Sequence, residues 1–290
     1  MSRSLKATDP KKAKPSKPKM IIFGRPGVGK TWASLDFPNV YYIDTEGGAN
    51  LDHYTDKLKK AGGAYFGPDQ GSLDFSTVIE EVITLATIKH PYKTLVIDSF
   101  SKLYNNKAAE AADKGGDDFG RDKKEANKPT RKLIRWLDKL DMNVLLICHE
   151  KDRWQNSQVV GQTFDGWEKL EYELHLCLRV IKLGESRKAK VVKTRLQEFP
   201  EDETFPWSFA EFAKRFGTDV IEAAPVPIKL ASPEQVQHLN ELIKAVRVEK
   251  DTTDKWLEKA GIETFDEMDV ETIQKCIAAL TNKLPKVSAA

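Results

Sequence analysis

From residue 20 onward, short unbroken apolar runs alternate with longer stretches at helical spacing. Residues 20–23 (Met-Ile-Ile-Phe), 40–44 (Val-Tyr-Tyr-Ile-Asp), 94–98 (Thr-Leu-Val-Ile-Asp) and 143–148 (Asn-Val-Leu-Leu-Ile-Cys) form four such runs. Between the second and third, residues 76–89 place Val78, Ile79, Val82, Ile83 and Leu85 along one helical face. A further helix is expected from about Pro129 to Leu140, just before the fourth run. Strands without apolar/polar alternation are buried on both faces, and helices spacing them demand parallel crossovers. The pattern therefore predicts an α/β fold, a mostly parallel sheet flanked by helices. Residues 174–183 and 190–194, around Gly184-Glu185-Ser186, read as a β-hairpin appended to it.

The rest of the chain is organised around that core. Residues 1–19 carry Arg3, Lys6, Lys11, Lys12, Lys14, Lys17 and Lys19 against Asp9, broken by prolines, and read as a disordered basic arm. Residues 20–222 form the α/β core, 223–231 a proline-containing linker, 232–284 a helical mini-domain and 285–290 a tail. Ser232-Pro233-Glu234-Gln235 is a capping box with proline at the first helical position. Val236, Leu239, Leu242, Ile243 and Val246 make the stripe behind it, a short helix around Trp256 ends at Gly261, and a last helix starts at Asp269. With 31% charged and 40% hydrophobic residues the composition is that of a soluble globular protein. Cys148, Cys177 and Cys276 lack disulfide or metal spacing, no run reaches membrane length, and a cytoplasmic protein without membrane contact is expected. A net charge of +2 adds nothing, although its distribution does.

The chemistry lies at the strand ends. Gly24-Arg25-Pro26-Gly27-Val28-Gly29-Lys30-Thr31 is a complete G-x-x-x-x-G-K-T phosphate loop, with a strand before it and Trp32 opening a helix after it. Its glycines let backbone N–H groups curl round a phosphate, Lys30 reaches the β- and γ-phosphates, and Thr31 offers a hydroxyl to Mg²⁺. ATP and Mg²⁺ are thus the expected cofactors. Asp98 closes the third run as the Walker B acid, binding the metal partly through water. Ser99 follows it, where many ATPases of this class place a glutamate base. Glu46, just past the second run, can orient and deprotonate water if its strand neighbours that of Asp98, with Asp44 the alternative. His149, at the tip of the fourth run, can sense the γ-phosphate.

A phosphate loop, a glutamate after the second strand, Asp98 on the third and a polar residue ending the fourth resemble the RecA/RadA-like P-loop ATPase core. The segment from Gly24 to Gly48 is most similar to small phage-encoded RecA-like proteins, ATP-dependent single-strand annealing or recombination proteins. The resemblance implies Glu46 as base, His149 as sensor, and assembly on single-stranded DNA as a homo-oligomer, ring or filament, in the host cytoplasm. The helical N-terminal oligomerisation domain of bacterial RecA has no counterpart, which tells against strand exchange of that kind. In such assemblies a Lys-x-Arg at a strand end reaches a neighbour's γ-phosphate, a role that falls here on Lys193 and Arg195. Two long polar loops are expected at residues 114–128 and 151–168. The first offers Arg121, Lys123 and Lys124, the second Lys151, Arg153 and Trp154, cations and aromatics suited to unpaired bases and their phosphates. The C-terminal helices are expected to meet a partner such as a single-strand-binding protein or nuclease. Two other functions remain open, a small-molecule phosphotransferase with residues 115–128 and Arg121 as its lid, and a nucleotide-dependent scaffold or loader for a helicase or nuclease.

Overall fold

The computed structural model describes residues 16–48, 51–115 and 121–284. Its innermost strand, β1 (Lys19–Gly24), is buried along its whole length and leads through the phosphate loop into α1 (Lys30–Ser34). The chain continues through β2 (Val40–Asp44), α2 (Asp52–Lys60), β3 (Ala64–Phe66), α3 (Phe75–Thr87) and β4 (Thr94–Asp98). Next come α4 (Phe100–Gly115), α5 (Arg121–Lys139), β5 (Asn143–Gln155), β6 (Gln158–Phe164) and α6 (Leu170–Glu173). The core ends with β7 (Leu176–Leu183), β8 (Ser186–Thr194), β9 (Thr204–Pro206), α7 (Phe209–Phe216) and α8 (Thr218–Glu222). Helices α9 (Pro233–Val246), α10 (Lys250–Ala260) and α11 (Val270–Thr281) follow.

The sheet runs in the order β3-β2-β4-β5-β1-β7-β8-β9, with β6 paired to β5 beside it. Pairings from β3 to β7 are parallel, and β7–β8 and β8–β9 are antiparallel, giving the mostly parallel sheet with an appended hairpin. Strand β5 lies between β1 and β4, level with Gly24 at His149, while Asp44 on β2 is level with Asp98 on β4. All four carboxyl ends thus meet at one edge of the sheet, where ligands of open α/β folds bind.

Alternation along β1 divides the core. Ile21 and Phe23 pack with Phe75, Val78, Val82, Leu133 and Leu137 of α3 and α5, while Met20 and Ile22 pack with Phe37, Leu58, Phe199 and Phe212 on the other side. Asp74 caps α3 by accepting from Thr77 N at 2.8 Å.

Four expectations need correction. The helix before β5 begins at Arg121, with Pro129 inside it. Proline removes one backbone donor, but buried Ala126, Thr130, Leu133 and Leu137 hold the face, and Thr130 Oγ1 donates to Ala126 O at 2.8 Å. The polar loop expected at 114–128 is therefore helix at 114–115 and 121–128, and the segment between, with Gly116 and Gly120, lies outside the described residues. The second expected loop is a β-hairpin. β5 runs on to Gln155, turns at Asn156 and Ser157 (φ 49° and 61°), and returns as β6. Two residues at positive φ make the turn whose twist suits a hairpin. Finally, residues 1–15 of the expected basic arm lie outside the described residues, but Lys17 and Lys19 are buried. Lys17 Nζ donates to Ala223 O, and Lys19 Nζ to Asp138 O at 2.7 Å, so these two cations belong to the folded core.

The capping box forms, with Gln235 N donating to Ser232 Oγ (3.3 Å) and Ser232 N to Gln235 Oε1 (2.9 Å). Helices α9–α11 enclose their own apolar cluster around Leu239, Ile273 and Leu280. They lean on α5, where Lys132 Nζ reaches Glu263 and Glu267, each at 2.9 Å. Among the described residues no helix is long and apolar enough to cross a membrane.

Candidate active site

The phosphate loop is shaped by conformations that only glycine adopts freely. Gly24 (φ 154°) passes so close to β7 that a Cβ would stand 2.4 Å from Val180 O. At Gly27 (φ 74°) a Cβ would meet nothing within 4 Å, so the loop opens there onto a cleft of about 430 Å³. That cleft is walled by the loop, by Lys30 and Thr31, and by Tyr42, Asp44, Glu46, Asp98, His149 and Glu150. Lys30 Nζ donates to Gly24 O (2.7 Å) and Arg25 O (3.0 Å). Burial holds its pKa below the usual lysine value, against the opposing pull of Asp98 and Glu46.

Asp98 is buried, and one carboxylate oxygen, Oδ2, accepts from Thr31 Oγ1 (2.5 Å) and Tyr42 OH (2.8 Å). Burial raises its pKa, and those two hydrogen bonds work in the other direction. The donors suit Mg²⁺ carried on a nucleotide. A hydroxyl and a carboxylate share one point beside the loop, and Mg²⁺ takes its remaining ligands from phosphate and water. Among the described residues no cluster of three metal-binding side chains exists that would suit a metal held by protein alone.

Beside this pair lies a second polar cluster. Glu46 Oε1 accepts from Ser99 Oγ at 2.6 Å and lies 2.6 Å from His149 Nε2, while Ser99 Oγ and His149 Nε2 are 3.3 Å apart. Burial pushes the Glu46 pKa up, but the hydrogen bonds from Ser99 and His149, with the charges of His149 and Lys102, hold it below the ordinary glutamate value. Asp44 shapes the turn beneath, where its Oδ1 accepts from Glu46 N (3.0 Å) and Gly47 N (2.8 Å) and its Oδ2 from Tyr65 OH (2.9 Å). Thr45 locks the two strand ends together, since its Oγ1 accepts from Ser99 N (2.8 Å) and donates to Ser99 O (2.9 Å). The Asp98–Ser99 peptide is cis. Glu150, almost wholly buried, pairs with Arg179 through two contacts (2.8 and 3.2 Å), with Arg25 3.5 Å away.

The structure thus brings Gly24 to Thr31, Glu46, Asp98 and His149 to one cleft. Trp32 stands at its margin, 40% exposed, and the Val28 side chain packs beneath the loop. Lys193 and Arg195 lie elsewhere. Thr194 is level with Leu176, which is level with Met20, so both cations sit at the starting edge of the sheet, away from this chain's own phosphate loop. Lys193 Nζ donates to Leu174 O and Arg195 to Tyr172 O. Lys151, Arg153 and Trp154 lie on the β5–β6 hairpin, Lys151 paired with Asp165 (3.2 Å) and Trp154 64% exposed. The pairing with β6 shifts register between Arg153 and Trp154, an irregularity of the β-bulge kind. Arg121, Lys123 and Lys124 belong to the first turn of α5, and Lys124 is exposed. Sequence reasoning missed Tyr42, Glu150 and Arg179, and noted Ser99 only as the absence of a glutamate. Tyr42, two residues before Asp44 on its strand, was the one legible signal.

No curated protein matches the chain. Among solved structures it is similar to the RadB recombinase (17% identity, 64% of this chain and 84% of that one, TM-score 0.44). It is also similar to a prototypical ATPase from the type III secretion system of pathogenic bacteria (12%, 98% and 90%, TM-score 0.40). A third is the assembled ATPase EscN from the enteropathogenic E. coli type III secretion system (13%, 93% and 67%, TM-score 0.38). Likenesses this remote add nothing to the geometry above. Residues 16–198, which span β1 to the end of β8 and hold the whole cleft, match the model of a family described as an AAA domain, and the chain, with its P-loop ATPase core, belongs to that family.

Proposed function

We propose that this protein hydrolyses Mg²⁺–ATP with Glu46 as the group that orients the attacking water, and that it does so as a homo-oligomer on single-stranded DNA in recombination, repair or replication. The observation that carries the hydrolytic reading is the Glu46–Ser99–His149 cluster in the same cleft as Lys30, Thr31 and Asp98. A carboxylate held below its usual pKa is a weak base. It accepts a hydrogen bond from water and aims it, and takes the proton late, which suits a loose phosphoryl transition state with little bond formation to the nucleophile. Ser99 and His149 fix the carboxylate's direction. Lys30 stabilises charge on the β- and γ-phosphates, and Thr31 with Asp98 would hold Mg²⁺, which would supply charge neutralisation to the phosphates.

The DNA reading is supported by Trp154 and the cations of the β5–β6 hairpin. Lys193 and Arg195, at the far end of the sheet from their own loop, could serve only a neighbouring subunit's nucleotide, on giving up their bonds to Leu174 O and Tyr172 O. The phage origin belongs to this same reading, as do a separate fold for residues 232–284 and a partner for it. The phosphotransferase lid has less support, since residues 121–128 are helical. Steady-state ATP turnover with and without an unpaired oligonucleotide tests the proposal. Stimulation is expected, and in Trp154→Ala the oligonucleotide affinity falls by about 5- to 150-fold, the loss of one stacked base, with DNA-free turnover kept. Turnover indifferent to DNA removes the DNA reading. Transfer of phosphate to an added acceptor supports the phosphotransferase, and absent turnover the loader.

A further inference from the structure

Beside the phosphate cleft lies a second, of about 310 Å³, and the two share Gly27, Lys30, Thr31 and Tyr54. Its other walls are Gly29, Trp32 and Arg187. Trp32 packs edge-on against Tyr54, with ring centroids 5.8 Å apart. Lys57 fixes the indole from one side, its ammonium 3.9 Å from the ring centroid and 2.6 Å from Trp32 O, with a further ion pair to Asp36 at 2.8 Å. Arg187 comes from β8, two strands away from β1, and its Nε lies 2.3 Å from where a Cβ on Gly29 would stand. Among the described residues no hydrogen bond or ion pair engages its guanidinium side chain.

We propose that this second cleft holds the nucleobase, stacked between the Arg187 guanidinium and the Trp32–Tyr54 aromatic pair, and that it prefers purines without separating adenine from guanine. The inference rests on the nucleotide-binding reading above and deepens it. The shared wall leads directly from the phosphate cradle into an aromatic cleft, and the planar guanidinium and the indole are the two kinds of surface on which bases stack. Stacking grows with the area of the ring, so purines gain over pyrimidines. Telling adenine from guanine takes a patterned set of donors and acceptors at the base edge, typically a carboxylate or side-chain amide. Among the described residues neither lines this cleft.

Equilibrium binding of ATP, GTP, CTP and inorganic tripolyphosphate, each with Mg²⁺, tests this on the full chain and on Arg187→Ala, Trp32→Ala and Trp32→Phe. The expected result is ATP and GTP within about threefold of each other, with CTP weaker than both, because the cleft reads ring area and not the edge. Arg187→Ala and Trp32→Ala raise the Kd of ATP about 5- to 150-fold, the range for losing one stacking partner, and Trp32→Phe restores most of it. Tripolyphosphate, which has no base, binds all variants as it binds the parent, and so also reports that they are folded. Equal losses for ATP and tripolyphosphate make Arg187 a phosphate ligand and overturn the proposal. Unchanged ATP binding in both alanine variants, or a preference between ATP and GTP above about 30-fold, overturns it too. Failure of the parent to bind either ATP or tripolyphosphate refutes the nucleotide reading itself, a result distinct from these.

Discussion

Replacing Glu46 by glutamine isolates the chemistry of one carboxylate with little change of shape. The side-chain oxygen that takes the 2.6 Å bond from Ser99 persists as an amide oxygen, so the strand-end geometry set by Thr45, Asp44 and Ser99 is retained. What disappears is the charge and the capacity to take a proton. Loss of a general base costs about 10²- to 10⁴-fold in rate, or about 2.7–5.5 kcal/mol of barrier at 1.36 kcal/mol per decade. Because Glu46 bears on Lys30 only through its charge, its neutralisation leaves the cradle more positive. ATP affinity should therefore hold or tighten slightly. Single-turnover hydrolysis at saturating Mg²⁺–ATP, beside a direct ATP titration, measures both numbers. The partner experiment is Asp44→Asn. Asparagine keeps an oxygen for Glu46 N and Gly47 N, so it should cost less than about tenfold, well under a lost base. Turnover in Glu46→Gln within tenfold of the parent, with a collapse in Asp44→Asn, would refute the reasoning and move the role to Asp44.

Two further outcomes concern the carboxylates Glu46 and Glu150 that line the cleft. Glu46 is needed ionised and its pKa is lowered, so the acid limb of kcat/KM should lie below the ordinary glutamate value. Ser99→Ala removes a bond to the charged form and should move that limb to higher pH, read from a pH–rate profile. The same sign governs stability, since the contribution of Glu46 is present above its unfolded pKa and is lost as pH falls through the folded one. Arg179→Met strands the nearly buried Glu150 carboxylate. With Arg25 still 3.5 Å away and Arg179 itself partly exposed, the loss should be roughly 2–3 kcal/mol, under the full cost of breaking a buried pair. Urea denaturation measures it, and a loss below about 0.5 kcal/mol, the level of a surface pair, would show the bridge to be idle.

What could be read from the chain depended on whether a residue's role is set by its near neighbours. The loop from Gly24 to Thr31 is legible because its backbone conformations demand glycine at fixed offsets, and Asp98 because an apolar run ends on it. The β5–β6 hairpin was not, since its turn is Asn156-Ser157 with no glycine and its strands carry polar residues on both faces. The start of α5 was hidden because Pro129 looks like a boundary until the buried face that runs past it is seen. The bonds from Ser99 to Glu46 and from Arg179 to Glu150 join residues far apart in sequence, and they exist only through the β2–β4 register and the sheet order. Arg187 reaches Gly29 for the same kind of reason, across β7.

Strand β5 has a mechanical consequence of its own. Up to Ile147 it is clamped between β1 and β4, Cys148 and His149 are paired with β1 alone, and from Glu150 onward it is paired only with β6. Trp154 stands five residues beyond His149, or ~17 Å at the rise of an extended strand. The hairpin is thus a lever whose pivot lies beside the Glu46 carboxylate. A rotation of about 10° at that pivot carries the indole ~3 Å, roughly the rise of one strand residue. The residue at that pivot, His149, carries the imidazole that lies 2.6 Å from Glu46.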